Sequence, residues 1–134
     1  MINANLDDLL YSVCDKLIPF HERVSDLAQT LREEGGLRSD DIGLVRLENT
    51  ASYAAAYLSA VQANKNFYLH GLMLDLTLGM WFDKGLWWLR ENKPHHAGDL
   101  QALERERNVI RPCLKAAQEA KIMQQSRQKE TAKK

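Results

Sequence analysis

The segment Arg90-Glu91-Asn92-Lys93-Pro94-His95-His96 carries the densest chemistry in the chain. A histidine titrates near neutral pH and so can take up and return a proton. An arginine grips a phosphate through a planar fork of N–H donors. Together they suit phosphodiester cleavage, with Arg90 on the phosphate and His95 or His96 moving a 2′-hydroxyl proton. With Asp99 nearby, the two histidines also supply metal-ligand types. Adjacent histidines on a loop do not by themselves face one ion, however, and Cys14, Cys113 and His21 are remote in sequence. No ligand pattern repeats at helical spacing, as a di-metal bundle requires. The sequence therefore gives no reason to expect a metal or any other cofactor.

The spacing of Arg90 to His95 and His96 resembles the arginine, four-to-six residues, histidine motif of the HEPN ribonucleases. The resemblance covers these seven residues. It implies a small helical domain, often dimeric, in which Arg90 and His95 or His96 form a metal-independent catalytic pair. Pro94 interrupts a spacer that is helical in that family.

Two other constellations point to binding. Trp81, Trp87 and Trp88 fall within eight residues. On a helix, Trp81 shares a face with Gly85 and Trp88, while Phe82 shares one with Leu86 and Leu89, and both faces read as core. Trp87 instead lies with Asp83 and Arg90 on a polar strip, a composition found at protein-binding hot spots. Further on, Arg107, Arg111 and Lys115 step by four and make a basic ridge. With Lys121, Arg127 and Lys129 this ridge offers phosphate contacts to a nucleic acid. Interleaved Glu104, Glu106 and Glu119 dilute it, and no base-reading motif accompanies it.

Helices must position all these groups. Leu6, Leu10, Val13, Leu17, Phe20, Val24, Leu27 and Leu31 step by three and four, so one face of a long first helix is apolar. Asn5 is its N-cap, Asp7 and Asp8 complement its dipole, and Gly35-Gly36 end it. Pro19 lies inside, yet the stripe keeps its phase, which predicts a kinked continuous helix. A second helix runs from Asp41 to about Asn64, capped by Ser39 or Asp40, with Leu44, Leu47, Ala51, Ala54, Leu58 and Val61 as its stripe. It should fold back antiparallel on the first.

Residues 65–92 offer two readings. Leu72, Leu74, Leu76, Leu78, Met80 and Phe82 alternate at the strand period, and Asp83-Lys84-Gly85 would turn a hairpin. The segment has no Val and no Ile, however, and is rich in the helix formers Leu and Met. A helix, apolar nearly all round and central to the bundle, is the expectation. Gly71, Gly79 and Gly85 read as places of close packing. Residues 92–98 read as a loop. Asp99 caps a last helix that runs to about Ser126, kinked at Pro112, with Leu100, Leu103, Ile110, Leu114 and Ala117 inward. Residues 127–134 have nothing to bury and should be disordered.

The 134 residues fit one domain, and Leu and Ala make up about a quarter of them. Acidic and basic residues number 18 each, so the whole molecule exerts no pull on nucleic acid or membrane. The charge is polarised: residues 1–48 carry a net −5 and residues 99–134 a net +4. The two cysteines match no metal or redox spacing, and the N-terminus lacks the pattern of a signal peptide. His70, Asp75, Asp83 and Lys84 interrupt the most apolar stretch, which argues against a bilayer span.

The expectation is thus an all-α, antiparallel bundle of four to five helices: a long kinked first helix, a central apolar helix, and a basic C-terminal helix and tail. A cytoplasmic location is expected. The narrow first stripe and the alanine-rich second helix suggest a homodimer. Function reads first as a non-enzymatic adaptor, inhibitor or regulator, a small interaction protein whose contact residues are Trp87, Asp83 and Arg90. The alternatives are a nucleic-acid-associated protein using the basic helix and tail, and an HEPN-like ribonuclease using Arg90 and His95.

Overall fold

The computed structural model describes residues 5–34 and 41–132, with side chains to residue 126. Helix α1 spans Leu6–Glu34, α2 Ile42–Ala63, α3 Phe67–Leu76, α4 Phe82–Asn92 and α5 Ala97–Ala132. A kinked segment, Thr77–Trp81, broken at Gly79, joins α3 to α4, and a 3-10 turn, Pro94–His96, leads into α5. There is no strand among the described residues, so the alternation in 72–82 is helical. No helix there is long and apolar enough to cross a membrane.

The first helix forms as its pattern dictates. The Asp8 N–H donates to Asn5 Oδ1 at 2.8 Å, closing the N-cap. The helix then runs unbroken through Pro19. All eight members of its stripe except Leu6 are buried. That stripe is covered within the same chain, because α1 packs against both α2 and α5. The first stripe therefore asks for no second copy. Both neighbours are antiparallel to it. Arg32 near the end of α1 pairs with Glu48 near the start of α2 at 2.7 Å, and Arg23 pairs with Glu106 of α5 at 2.8 Å.

Asp41 stands at the N-cap of α2 in an extended conformation. The expected caps Ser39 and Asp40, and the Gly35-Gly36 end of α1, lie outside the described residues. Helix α2 ends at Asn64 and α3 begins after Asn66, both with φ of 54°. Asparagine tolerates this left-handed geometry better than most side chains, which permits so short a reversal. Glycines set the spacing elsewhere. A Cβ on Gly85 would stand 2.7 Å from Arg46 Cβ, and one on Gly43 would meet Leu89 and Trp88 at 2.6 Å, so α2 and α4 touch nearly backbone to backbone.

Helix α3 differs from the expected central position. It buries Phe67, Gly71 and Leu74, while Leu69, Leu72, Met73 and Leu76 are exposed. The bundle needs only one of its faces. Trp81 likewise is not core: it is 46% exposed, roofed by the Arg46 guanidinium at 3.9 Å. Phe82, Leu86 and Leu89 do enter the core, where Phe82 meets Phe20 at 5.7 Å. Asp99 lies inside the first turn of α5 rather than at its cap, because the helix starts at Ala97. That helix passes Pro112 unbroken and continues to Ala132, beyond the Ser126 end expected from composition.

A polar defect at Tyr57 predicts a measurable gain. Tyr57 is fully buried and its hydroxyl has no hydrogen-bond partner. Burial, reinforced by nearby Cys14, pushes its ionisation far above the usual phenol range. Removing an unsatisfied buried hydroxyl without changing shape relieves its desolvation cost. Tyr57→Phe should therefore stabilise the fold by about 1 kcal/mol, read as a higher urea midpoint at unchanged slope.

Candidate functional site

The His95–His96 turn is built by Pro94 at the head of the 3-10 segment. The tight turn places the two imidazoles side by side, with ring centroids 4.3 Å apart and planes 43° apart. Both Nε2 atoms point to the carboxylate of Glu34, the last residue of α1. His96 Nε2 is 2.6 Å from Glu34 Oε1, and His95 Nε2 is 3.3 Å from Oε2. The other nitrogen of His96, Nδ1, is 3.5 Å from Asp99 Oδ2. His96 is largely enclosed, with 11% of its side chain exposed, whereas His95 stays open to solvent. The hydrogen bond from His96 does most to hold the Glu34 carboxyl below its usual range, against a smaller opposing effect of desolvation.

From sequence alone, adjacent histidines on a loop are not expected to face one ion. The turn geometry overturns that: ligand atoms of Glu34, His95 and His96 all lie within 4.8 Å of one another. Glu34 was not singled out, since 61 residues separate it from His95. The antiparallel packing of α1 on α5 delivers it, and local spacing carries no trace of that.

Arg90 is not brought into this group. It pairs with Glu104 of α5. Helix α4 ends at Asn92, and Lys93 leaves helical geometry before Pro94. The spacer of the motif is thus broken, with Arg90 engaged by Glu104 and His95 beside Glu34.

The basic ridge also divides. Arg107 is buried, 6% exposed, and points inward. Its Nη1 donates to the Leu78 carbonyl at 2.6 Å, its Nη2 meets Asp83 at 2.7 Å, and its guanidinium lies 5.4 Å from the Phe82 ring centroid. Arg111 donates to Asp75 at 3.1 Å. Lys115 is exposed, and Lys121 sits 5.2 Å over Phe67. The side chains of Arg127 and Lys129 lie outside the described residues. The strip of Asp83, Trp87 and Arg90 divides in the same way. Asp83 and Arg90 are tied to α5, while Trp87 is 64% exposed.

What sequence reasoning did not foresee is a second, apolar surface. Leu69, Leu72, Met73 and Leu76 recur at helical spacing along α3, Met80 follows past the break, and all are exposed. Met80 and Trp87 line one open hollow of about 430 Å³ with Gly79, Asp83, Lys84 and Arg111. Met80 and Trp87 thus adjoin one another just past the break at Gly79. The signal was present, since a helix greasy on every side cannot bury every side in a bundle of this size.

Comparison with family models, with curated proteins and with solved structures finds no match for this chain.

The inward arginine predicts a stability cost rather than a loss of surface binding. Arg107→Met keeps the stem but strips the partner from the Leu78 carbonyl and from Asp83. The variant should lose about 2 kcal/mol, measured by chemical denaturation. A loss below a few tenths would mean that the guanidinium holds nothing together.

Proposed function

We propose that this protein is a non-enzymatic interaction protein that associates with a second copy of itself through the outer face of α3. The observation that carries the reading is the row Leu69, Leu72, Met73, Leu76 and Met80, exposed by 39% to 64% and followed by Trp87. Together these side chains present on the order of 600 Å² of apolar surface, at the upper limit of what monomers leave bare. One side of a standard interface buries roughly 800 Å². The stripe supplies most of that before any flanking polar surface is counted.

Two further facts favour a second copy as the occupant. The row carries no charge of its own, so it complements itself across a two-fold axis, Leu72 and Leu76 meeting their equivalents. The formal net charge is zero at pH 7, so long-range repulsion does not keep copies apart. Methionine at two positions adapts to the partner's contour. Trp87 stands at the end of the row as the aromatic anchor that such contacts favour.

Sedimentation velocity tests the reading. The chain should sediment as a dimer at roughly 100 µM, a concentration at which mass action favours even modest affinity. Leu72→Glu with Leu76→Glu should return it to a monomer with an undiminished thermal midpoint, because both positions face solvent in one copy. A wild-type monomer at that concentration, or a dimer that survives both glutamates, would defeat the proposal.

A further inference from the structure

We propose that Glu34, His95 and His96 form a binding site for a first-row divalent cation, zinc foremost, with Asp99 as the residue that positions His96. The ligand types come first. Two imidazole nitrogens and one carboxylate suit zinc, copper(II) or nickel(II), whereas calcium and magnesium prefer oxygen alone. The geometry agrees. A zinc ion about 2.0–2.1 Å from each ligand holds tetrahedral neighbours roughly 3.3 Å apart. The two histidine-to-carboxylate distances are 2.6 Å and 3.3 Å, and no pair in the group exceeds 4.8 Å. Small side-chain rotations close the set on one ion.

The surroundings of His96 add an independent reason. A ligating histidine needs its second ring nitrogen held by an acceptor, which fixes the tautomer and the ring direction. Asp99 Oδ2 stands 3.5 Å from His96 Nδ1, on the side of the ring away from Glu34. When Nε2 takes the metal, the remaining ring proton sits on Nδ1, facing Asp99. The enclosure of His96 adds rigidity, since only 11% of the side chain is exposed. His95 and Glu34 are open, so solvent supplies the fourth ligand.

The ion would clamp the end of α1 to the turn that starts α5. These points are 61 and 62 residues apart in sequence, so the link removes a large loop from the unfolded ensemble. The site lies on a different part of the molecule from the apolar face of α3, and neither proposal needs the other.

The test is calorimetric titration of the full chain with zinc chloride in a non-chelating buffer, followed by histidine ring NMR. One zinc per chain should bind, and saturating zinc should raise the melting temperature by several degrees. The ring signals of His95 and His96 should move while those of His21 and His70 stay. Glu34→Gln should weaken binding at least tenfold, Asp99→Asn about tenfold, and His95→Ala with His96→Ala should abolish it. Cobalt(II) substituted for zinc should give tetrahedral d–d bands without a thiolate charge-transfer band. Three results overturn the site: no stoichiometric binding, binding that survives the double alanine variant, or cobalt bands that report Cys14 or Cys113. The wild-type NMR readout decides the matter even if a variant fails to fold.

Discussion

The arrangement of the third and fourth helices turns on one buried cation. Between Leu78 and Met80 the chain leaves helical geometry, with Gly79 at φ −84° and ψ −121°. Such a break strands a backbone carbonyl in an apolar setting, where an unpaired acceptor is costly. The Arg107 guanidinium reaches across from α5 and takes both the Leu78 carbonyl and Asp83, which lies past the break. Its face also lies over Phe82. One side chain thus spans the interruption and ties it to the longest helix. Thr77 adds a smaller repair just before the turn, its hydroxyl donating to the Met73 carbonyl at 2.8 Å.

That constraint decides which surface is left for partners. The basic ridge is divided, Arg107 drawn inward to the break and Arg111 held at the surface by Asp75. Lateral cover for α3 comes from α2 and α5, with Gln118 lying against Gly71 and donating to the Tyr68 carbonyl at 2.8 Å. Nothing among the described residues lies over the opposite face. The apolar row there is a remainder, produced by a helix with more greasy positions than the bundle has sides.

The sequence disclosed most of the architecture and little of the site. The ladder from Leu10 to Leu31 and the inward set Leu100, Leu103, Ile110, Leu114 and Ala117 were readable, because a period of three and four admits one burial pattern. The helical state of residues 67–92 followed from the lack of Val and Ile, Thr77 being the one β-branched residue, despite a strand-like alternation. Two things were not readable. Which face of an all-apolar helix meets solvent depends on its neighbours, so the expected central helix gave no sign that Leu72 and Leu76 face outward while Leu74 is buried. The convergence of His95 and His96 on Glu34 depends on how far α1 reaches along α5, a property of packing rather than of local spacing. Arg107 misled for a related reason. Its periodicity with Arg111 and Lys115 is that of an exposed ridge, and only the carbonyl freed by the break in the facing helix calls it inward.

Helix α5 outlasts the bundle that supports it. Its 36 residues reach about 54 Å, against about 44 Å for the 29 residues of α1. Gln118 is its last buried side chain among the described residues, and from there to Ser126 every residue is at least partly open to water. Along that overhang the backbone bonds stand with little tertiary packing to add to them, and isolated helical turns are marginal in water. Resistance to amide-proton exchange must therefore decline along the helix axis, from values set by global unfolding near Leu114 to those of a lone peptide helix beyond Met123.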